Sequence, residues 1–526
     1  MKKQIAITLF AGMVLSLSHA IYGQETESSP VNSITEAEMR DHIFFLASDY
    51  LGGRVGPSEE YEIAAHYVAS QFASAGVEPL SSDQGNMSGY FQEVPFEKKV
   101  FSQEIKWILH SKEGKKEFIH NEDYKILESR TMVEEPLDVV FAGYGISEPD
   151  YGWNDFKEID IAGKMVIILA GAPVKKGKPV LPDSVHQQYN TMMGLQKKIF
   201  PILKMEPTSL ILIFDEQTKA MVPFEAMPSN FSDVLYKYKG VEGSEQGLKI
   251  PMICTVTDEV AQSIFEGQKY DPADIAGKGL KKYRCYQLEN VSIEAVFPVL
   301  ESSEISLKNV VGWVEGTDPE LQDQIITVGA HLDHVAYPTG EVANGADDNA
   351  SGSAGVMEIA EAIAMNPPRR SVVFIAYNAE EMGLHGSNYF VNAGPFTREH
   401  ISFNLNLDMI GRTTAANKES RSHYVVLADE YESKMVPFIS EINDRTLAYP
   451  LIFKLNSSFS GSSDHASYSN VGIPSFCFFS GMHEDLHRPG DDAEKIEYDK
   501  AVKISRLTYL ITMKLANMDE IPDFLE

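Results

Sequence analysis

At 526 residues the chain is too long for one ordinary hydrophobic core, so two or three domains are expected. Its 43% hydrophobic and 10% aromatic residues suffice to build those cores and argue against disorder away from the termini. A formal net charge of -31 excludes nucleic acid and anionic membrane surfaces as partners, since both require clustered Lys and Arg, and fits a soluble acidic protein.

Met1-Lys2-Lys3, the apolar residues 5–17 and Ser18-His19-Ala20 have the basic, apolar and small-residue parts of a secretory signal, assigned here to residues 1–24. Cleavage falls after Ala20 or a few residues later, near Gly23 or Gln24. The apolar run is too short to span a bilayer comfortably, no Cys follows it to carry a lipid, and no later stretch reaches the length of a membrane helix. A periplasmic or secreted protein without membrane insertion after cleavage is therefore expected. Export permits disulfides, yet the chain has only Cys254, Cys285 and Cys477. Cys477 lies in an apolar run and reads as a buried thiol, whereas a bridge between Cys254 and Cys285 stays open.

Residues 25–35 form a polar leader. A helix is predicted from Glu36, with Met39, Ile43 and Leu46 on one face. The turn Leu51-Gly52-Gly53-Arg54-Val55-Gly56-Pro57 follows, then Ser58 as an N-cap, with Glu59 and Glu60 suited to the helix dipole. That second helix carries Ala64, Val68, Phe72 and Ala75 and stops at Gly76. Residues 89–130 alternate apolar and charged positions, as antiparallel strands do. Short apolar strands separated by Gly, Pro and charged loops fill residues 131–295, a β-rich inserted domain without a His-carboxylate cluster. Residues 25–130 and 296–526 then form the two parts of one α/β domain: strand-helix alternation resumes at Asn309 and ends in a helix over 501–518.

Chemistry-bearing residue types gather where apolar runs stop. Residues 325–330 lead into His331-Leu332-Asp333, residues 371–377 into Asn378-Ala379-Glu380-Glu381, and residues 401–407 into Asp408, while Asp347-Asp348-Asn349 precedes a helix-like run. Taken singly, each cluster is as well explained by a surface pair, an Asx turn or a solvated helical turn. Together they are expected to converge, because ligands in open α/β sheets sit beyond the carboxyl ends of the strands. His, Asp and Glu without Cys suit zinc or a similar divalent ion.

These clusters, with Ala346-Asp347-Asp348-Asn349-Ala350-Ser351-Gly352, Glu380-Glu381-Met382-Gly383, Ser463-Asp464-His465 and His487-Arg488-Pro489-Gly490-Asp491, resemble the M28 family of co-catalytic zinc peptidases. The match spans about 305–520; the segment around Leu51-Gly52-Gly53-Arg54 is similar to that family's N-terminal part, and residues 141–166 to the protease-associated domain often inserted there. The fold implied is a mixed-sheet exopeptidase core flanked by helices. The resemblance implies two zinc ions, one completed by His331 and Asp408, the other by Glu381 and His487, with Asp347 bridging. It makes Glu380 the general base, Asp333 the partner of the far nitrogen of His331, and Asp491 the corresponding partner of His487. His487 is preferred over His483 because it stands in the His-X-Pro-X-Asp context. His465 and Tyr468 are placed by the substrate pocket, and His334 and His385 are read as loop or packing residues. Some relatives carry an oxyanion-stabilising tyrosine near Ser463; here Ser462 precedes it, leaving zinc itself in that role.

The implied activity is removal of residues from peptide N-termini. Alternatives on the same scaffold are a carboxypeptidase or dipeptidase and a glutaminyl cyclase using one zinc; outside catalysis, a receptor-like binding protein on a dead core. The last would be expected to have lost ligands, whereas all five positions are filled.

Overall fold

The computed structural model of the chain describes residues 29–81, 87–128, 133, 135–175, 178–214, 219–220, 222–241, 251–270, 285–337, 339–414, 423–427, 432–454 and 461–524; the expected signal segment lies outside them. Two compact units emerge, one of Met1–Gln92, Lys308–Glu380 and Gly386–Glu526, the other of Glu93–Leu307 and Glu381–His385. Among the described residues no helix is long and apolar enough to cross a membrane.

In the first unit, α1 (Glu36–Leu46) is capped by the Thr35 side chain. In α2 (Glu59–Ala75) the Ser58 hydroxyl accepts the Tyr61 N–H at 3.0 Å, three glutamates occupy the first turn, and Gly76 closes the helix at φ +79°. The unit's sheet includes β1 (Val299–Val314, of which 308–314 lie in this unit), β2 (Ile325–His331), β3 (Val372–Tyr377), β4 (Ile401–Asp408), β5 (His423–Leu427), β6 (Leu451–Lys454) and β7 (Ser475–Phe479). Between them come α3 (Gly352–Met365), α4 (His385–Ala393), α5 (Glu432–Thr446) and α6 (His465–Ser469), and the chain closes with α7 (Tyr498–Asn517). The strands lie in the order β1-β3-β2-β4-β7-β5-β6, with β3, β2, β4 and β7 parallel to one another.

Both faces of the sheet are covered, which is why its central strands read as unbroken apolar runs. Val372, Phe374 and Ala376 of β3 face the core shared with α1, α2, α3 and α7, whereas Val373, Ile375 and Tyr377 face the opposite one, with Phe390 of α4 and Tyr468 of α6. Gly329 makes room for that second layer: a Cβ there would stand 2.5 Å from the Tyr377 ring. The result is the expected mixed-sheet α/β core.

The second unit contains a sheet of eight strands in which four consecutive ones, Leu137–Phe141, Met165–Leu169, Ser209–Ile213 and Met252–Val256, run parallel. Alternate residues again serve two cores: Met165, Ile167 and Ile211 one, Val166, Ile168 and Leu210 the other. Helices Asp183–Tyr189, Met192–Leu203 and Asp258–Phe265 accompany it, so the unit is more helical than the β-rich insertion expected. It also begins at Glu93 rather than 131 and ends at Leu307 rather than 295. The reason is strand pairing: Lys106–Ser111 and Gly114–Ile119 form a hairpin, and the former pairs with Tyr286–Val296. All three cysteines are free thiols, so Cys254 and Cys285 form no bridge, and burial pushes each thiol's pKa up.

Candidate metal centre

Register brings the clusters together. His331 ends β2 opposite Tyr377 of β3, so Asn378 to Glu381 emerge beside it. On the other side Gly329 pairs with Asn406 of β4, two residues before His331 and Asp408 respectively. The chain then turns sharply. Ala379, Met409 and His487 all have φ between +52° and +57°, a conformation rare for side-chain-bearing residues.

Between β2 and α3 the backbone leaves helical geometry at Asp348 (φ -105°, ψ 91°) and Asn349 (φ -134°, ψ 44°), and the two aspartates part. Asp348 sends Oδ1 to 3.3 Å from His331 Nε2 and Oδ2 to 3.0 Å from His487 Nε2 and 3.6 Å from His334 Nδ1. Asp347 turns away. Its Oδ1 accepts the Gly411 N–H at 2.6 Å, and its Oδ2 lies 3.3 Å from His483 Nε2. The expectation that Asp347 stands between the two histidines is therefore corrected to Asp348.

Two groups of donor atoms result, each with all its atoms within 4.8 Å of one another: His331, Glu380 and Asp408 in one, His334, Asp348, Glu381 and His487 in the other. His331 Nε2 stands 3.5 Å from Asp408 Oδ1. Donors about 2.0–2.2 Å from one zinc at the tetrahedral angle are roughly 3.3–3.6 Å apart, so the spacings around Asp348 and His331 fit a cation in each group.

Supporting contacts differ from those expected. His331 Nδ1 donates to the backbone carbonyl of Asp333 at 3.0 Å, leaving Nε2 for the centre; the Asp333 carboxylate, 4.0 Å from Nδ1, accepts instead the Glu380 N–H at 3.2 Å. Asp491 stands 3.9 Å from His483 Nε2 and supports the centre through backbone groups. Its carboxylate accepts the N–H groups of Asp347 and Asp348 at 3.0–3.1 Å and so fixes the loop that carries both.

Charge is concentrated and buried. Burial disfavours protonation of His331, yet Glu380, Asp348 and Asp408 overcome it and hold its pKa well above the usual range. For Asp348 burial opposes ionisation, and His331 and His487 overcome that, holding its pKa well below the ordinary carboxylate value. Burial raises Asp491 to about 6 and Asp464 to about 7. Carboxylates so placed call for a compensating cation.

Of the remaining sequence candidates, Tyr468 is wholly buried with its hydroxyl 2.6 Å from that of Tyr377, a core pair rather than a pocket wall. His465 is buried at the start of α6. His385 stacks on Tyr238 with centroids 4.6 Å apart, a packing residue. His334, read from the sequence as a loop or packing residue, stands in the second group, and Arg54, read only as part of a glycine-rich turn, is buried with its guanidinium donating to the carbonyls of Leu46, Leu332, Asn344 and Gly345. The signal for His334 was its place one residue after Asp333; for Arg54, a lone arginine in a glycine-rich turn.

Comparison with known proteins is consistent with this geometry. Residues 309–512 match the model of peptidase family M28. The chain is 30% identical over 217 residues to aminopeptidase YwaD of Bacillus subtilis (strain 168), covering 39% of this chain and 44% of that protein. It is 28% identical over 213 residues to leucine aminopeptidase 1 of Coccidioides posadasii (strain C735), covering 38% and 54%. The chain thus spans about half the length of the curated relatives it matches. In fold it aligns with an aminopeptidase from Aneurinibacillus sp. strain AM-1 over 94% of this chain and 97% of that one, with TM-score 0.53 and 18% identity. Residues 309–512, the stretch that matches the model of peptidase family M28, supply every side chain of the two groups.

Proposed function

We propose that this chain is an exported, zinc-dependent exopeptidase, an aminopeptidase that hydrolyses N-terminal peptide bonds. The observation that carries the reading is the Asp348 carboxylate, one oxygen toward His331 and the other toward His487, between two groups of donors. His331 and Asp408 would hold one ion, Glu381 and His487 the other, and Asp348 both. Two zinc ions bound there would supply Lewis acidity to the scissile carbonyl and make a water molecule acidic near neutral pH.

The chain's own residues do the rest. Glu380, partly exposed, is the group placed to take a proton from the attacking water and return it to the departing amine. The Asp333 carboxylate anchors the Glu380 backbone N–H, which keeps the base from swinging off. The surplus of carboxylates suits a free α-ammonium group on the substrate, and the matched relatives are named aminopeptidases. Export is supported by the signal-like residues 1–24, and the protease-associated identity of the second unit by the resemblance of residues 141–166.

Phenanthroline should abolish cleavage of aminoacyl substrates and zinc should restore it; full turnover by metal-free protein refutes the proposal. Cleavage confined to N-blocked peptides would convert it to a carboxypeptidase. Glu380→Gln is expected to lose roughly 10²- to 10⁴-fold in turnover while its zinc content, measured by elemental analysis, stays at the wild-type level.

A further inference from the structure

We propose that His334 is a fourth protein ligand of the cation held by Asp348, Glu381 and His487, an inference that rests on the two-ion reading above. The bland alternative is a packing histidine, and part of the geometry is compatible with it: the ring lies against Gly345, where a Cβ would stand 2.7 Å from it. Packing alone does not explain where the nitrogen goes. His334 Nδ1 stands 3.6 Å from Asp348 Oδ2, the oxygen that also faces His487 Nε2, and its donor atom lies within 4.8 Å of those of Glu381 and His487. The His334 and His487 rings meet at 75° with centroids 5.5 Å apart. Two imidazole nitrogens at 3.0 and 3.6 Å from one carboxylate oxygen are near the separation of roughly 3.3–3.6 Å between donors that share a zinc ion.

Position supports the reading. His334 is buried, its N–H donates to the Arg54 carbonyl at 3.4 Å, and Val55 bridges to it, so the side chain is delivered by a pinned backbone. The consequence is asymmetry. An ion between His334, Asp348, Glu381 and His487 would have four protein ligands. An ion at His331, Asp408 and Asp348 would have three, with Glu380 in the same group of donors as His331 and Asp408.

X-ray absorption of the zinc-loaded wild-type chain tests this without any substitution: three imidazoles shared over two ions are expected, and two overturn the inference. Zinc titration into metal-free His334→Ala and His334→Asn, with His487→Ala as comparator, adds a second readout. All three should keep one ion at wild-type affinity and weaken the other by at least about 100-fold, since even partners outside the coordination shell are worth about 10- to 100-fold. Cobalt substituted into His334→Ala should show an altered visible ligand-field spectrum. If both His334 variants bind two ions as tightly as wild type and the cobalt spectrum is unchanged, His334 is no ligand and the proposed function stands. If the wild-type chain binds no zinc at all, the proposed function falls first.

Discussion

Asp347 and Asp348 are the same residue type, adjacent and both buried, and they do different work. What separates them is backbone direction. Asp491, 144 positions away from Asp347, accepts both their N–H groups, and Asn349 is tied to β4 and its end by donating to the Leu407 carbonyl and accepting from the Met409 N–H. Between those anchors Asp348 leaves helical φ/ψ and turns its carboxylate toward the histidines. A pair of aspartates before a helix is legible in sequence; which one faces the centre is not, because the deciding partner arrives from the far end of the chain. Asp348→Ala is therefore expected to lose bound zinc and activity together. Asp347→Ala should keep zinc but lose about 1–3 kcal/mol of stability in denaturant unfolding, for the buried Gly411 N–H loses its acceptor. Retention of zinc by the first variant and its loss by the second would restore the original assignment.

At the scale of elements, the strands that deliver His331, Glu380 and Asp408 could be read from apolar runs, since parallel strands buried on both faces have no polar alternation to disguise them. The loops could not. Residues 332–345 contain no periodic pattern, and the described ends of that stretch are held by Arg54, whose backbone stands at φ +55° and whose side chain is fully buried. Its nitrogens reach the carbonyls of Leu46 at the end of α1, Leu332 after β2, and Asn344 and Gly345 before the aspartates, at 2.6–2.9 Å. A planar fork with five donors can satisfy carbonyls from three segments at once; an ammonium on a flexible stem cannot. Arg54→Lys should thus destabilise the fold substantially, and Arg54→Met by on the order of 3–5 kcal/mol, the carbonyls being left buried without a donor. Chemical unfolding of zinc-free protein would measure this apart from metal loss, and a change within about 0.5 kcal/mol would show that the loop holds itself.

For the molecule as a whole, each unit closes its own hydrophobic cores, and the second carries a pH-sensitive group remote in sequence from the metal ligands. The strand boundaries of that unit were partly visible in the alternation of residues 89–130, but their allegiance was not, because a strand's sheet is decided by its partner and not by its own pattern. His120 sits in that region. Its Nε2 lies 2.8 Å from the Ser229 hydroxyl, its ring packs beside Tyr124 and Phe231, and burial, then the nearby Lys125 charge, lower its pKa to about 4 from an ordinary 6.5. The folded chain therefore binds the His120 proton less readily than the unfolded chain does. The contribution of the neutral ring is fully present above pH 6.5 and is lost progressively as pH falls from 6.5 toward 4. Trp107, stacked on Tyr124 with centroids 4.0 Å apart, reports on this region by fluorescence. Urea unfolding followed through that tryptophan should show stability falling with acid over the window in wild type and falling less steeply in His120→Gln. Equal slopes in the two proteins would mean that the ring is already protonated in the folded unit and that the acid response comes from carboxylates alone.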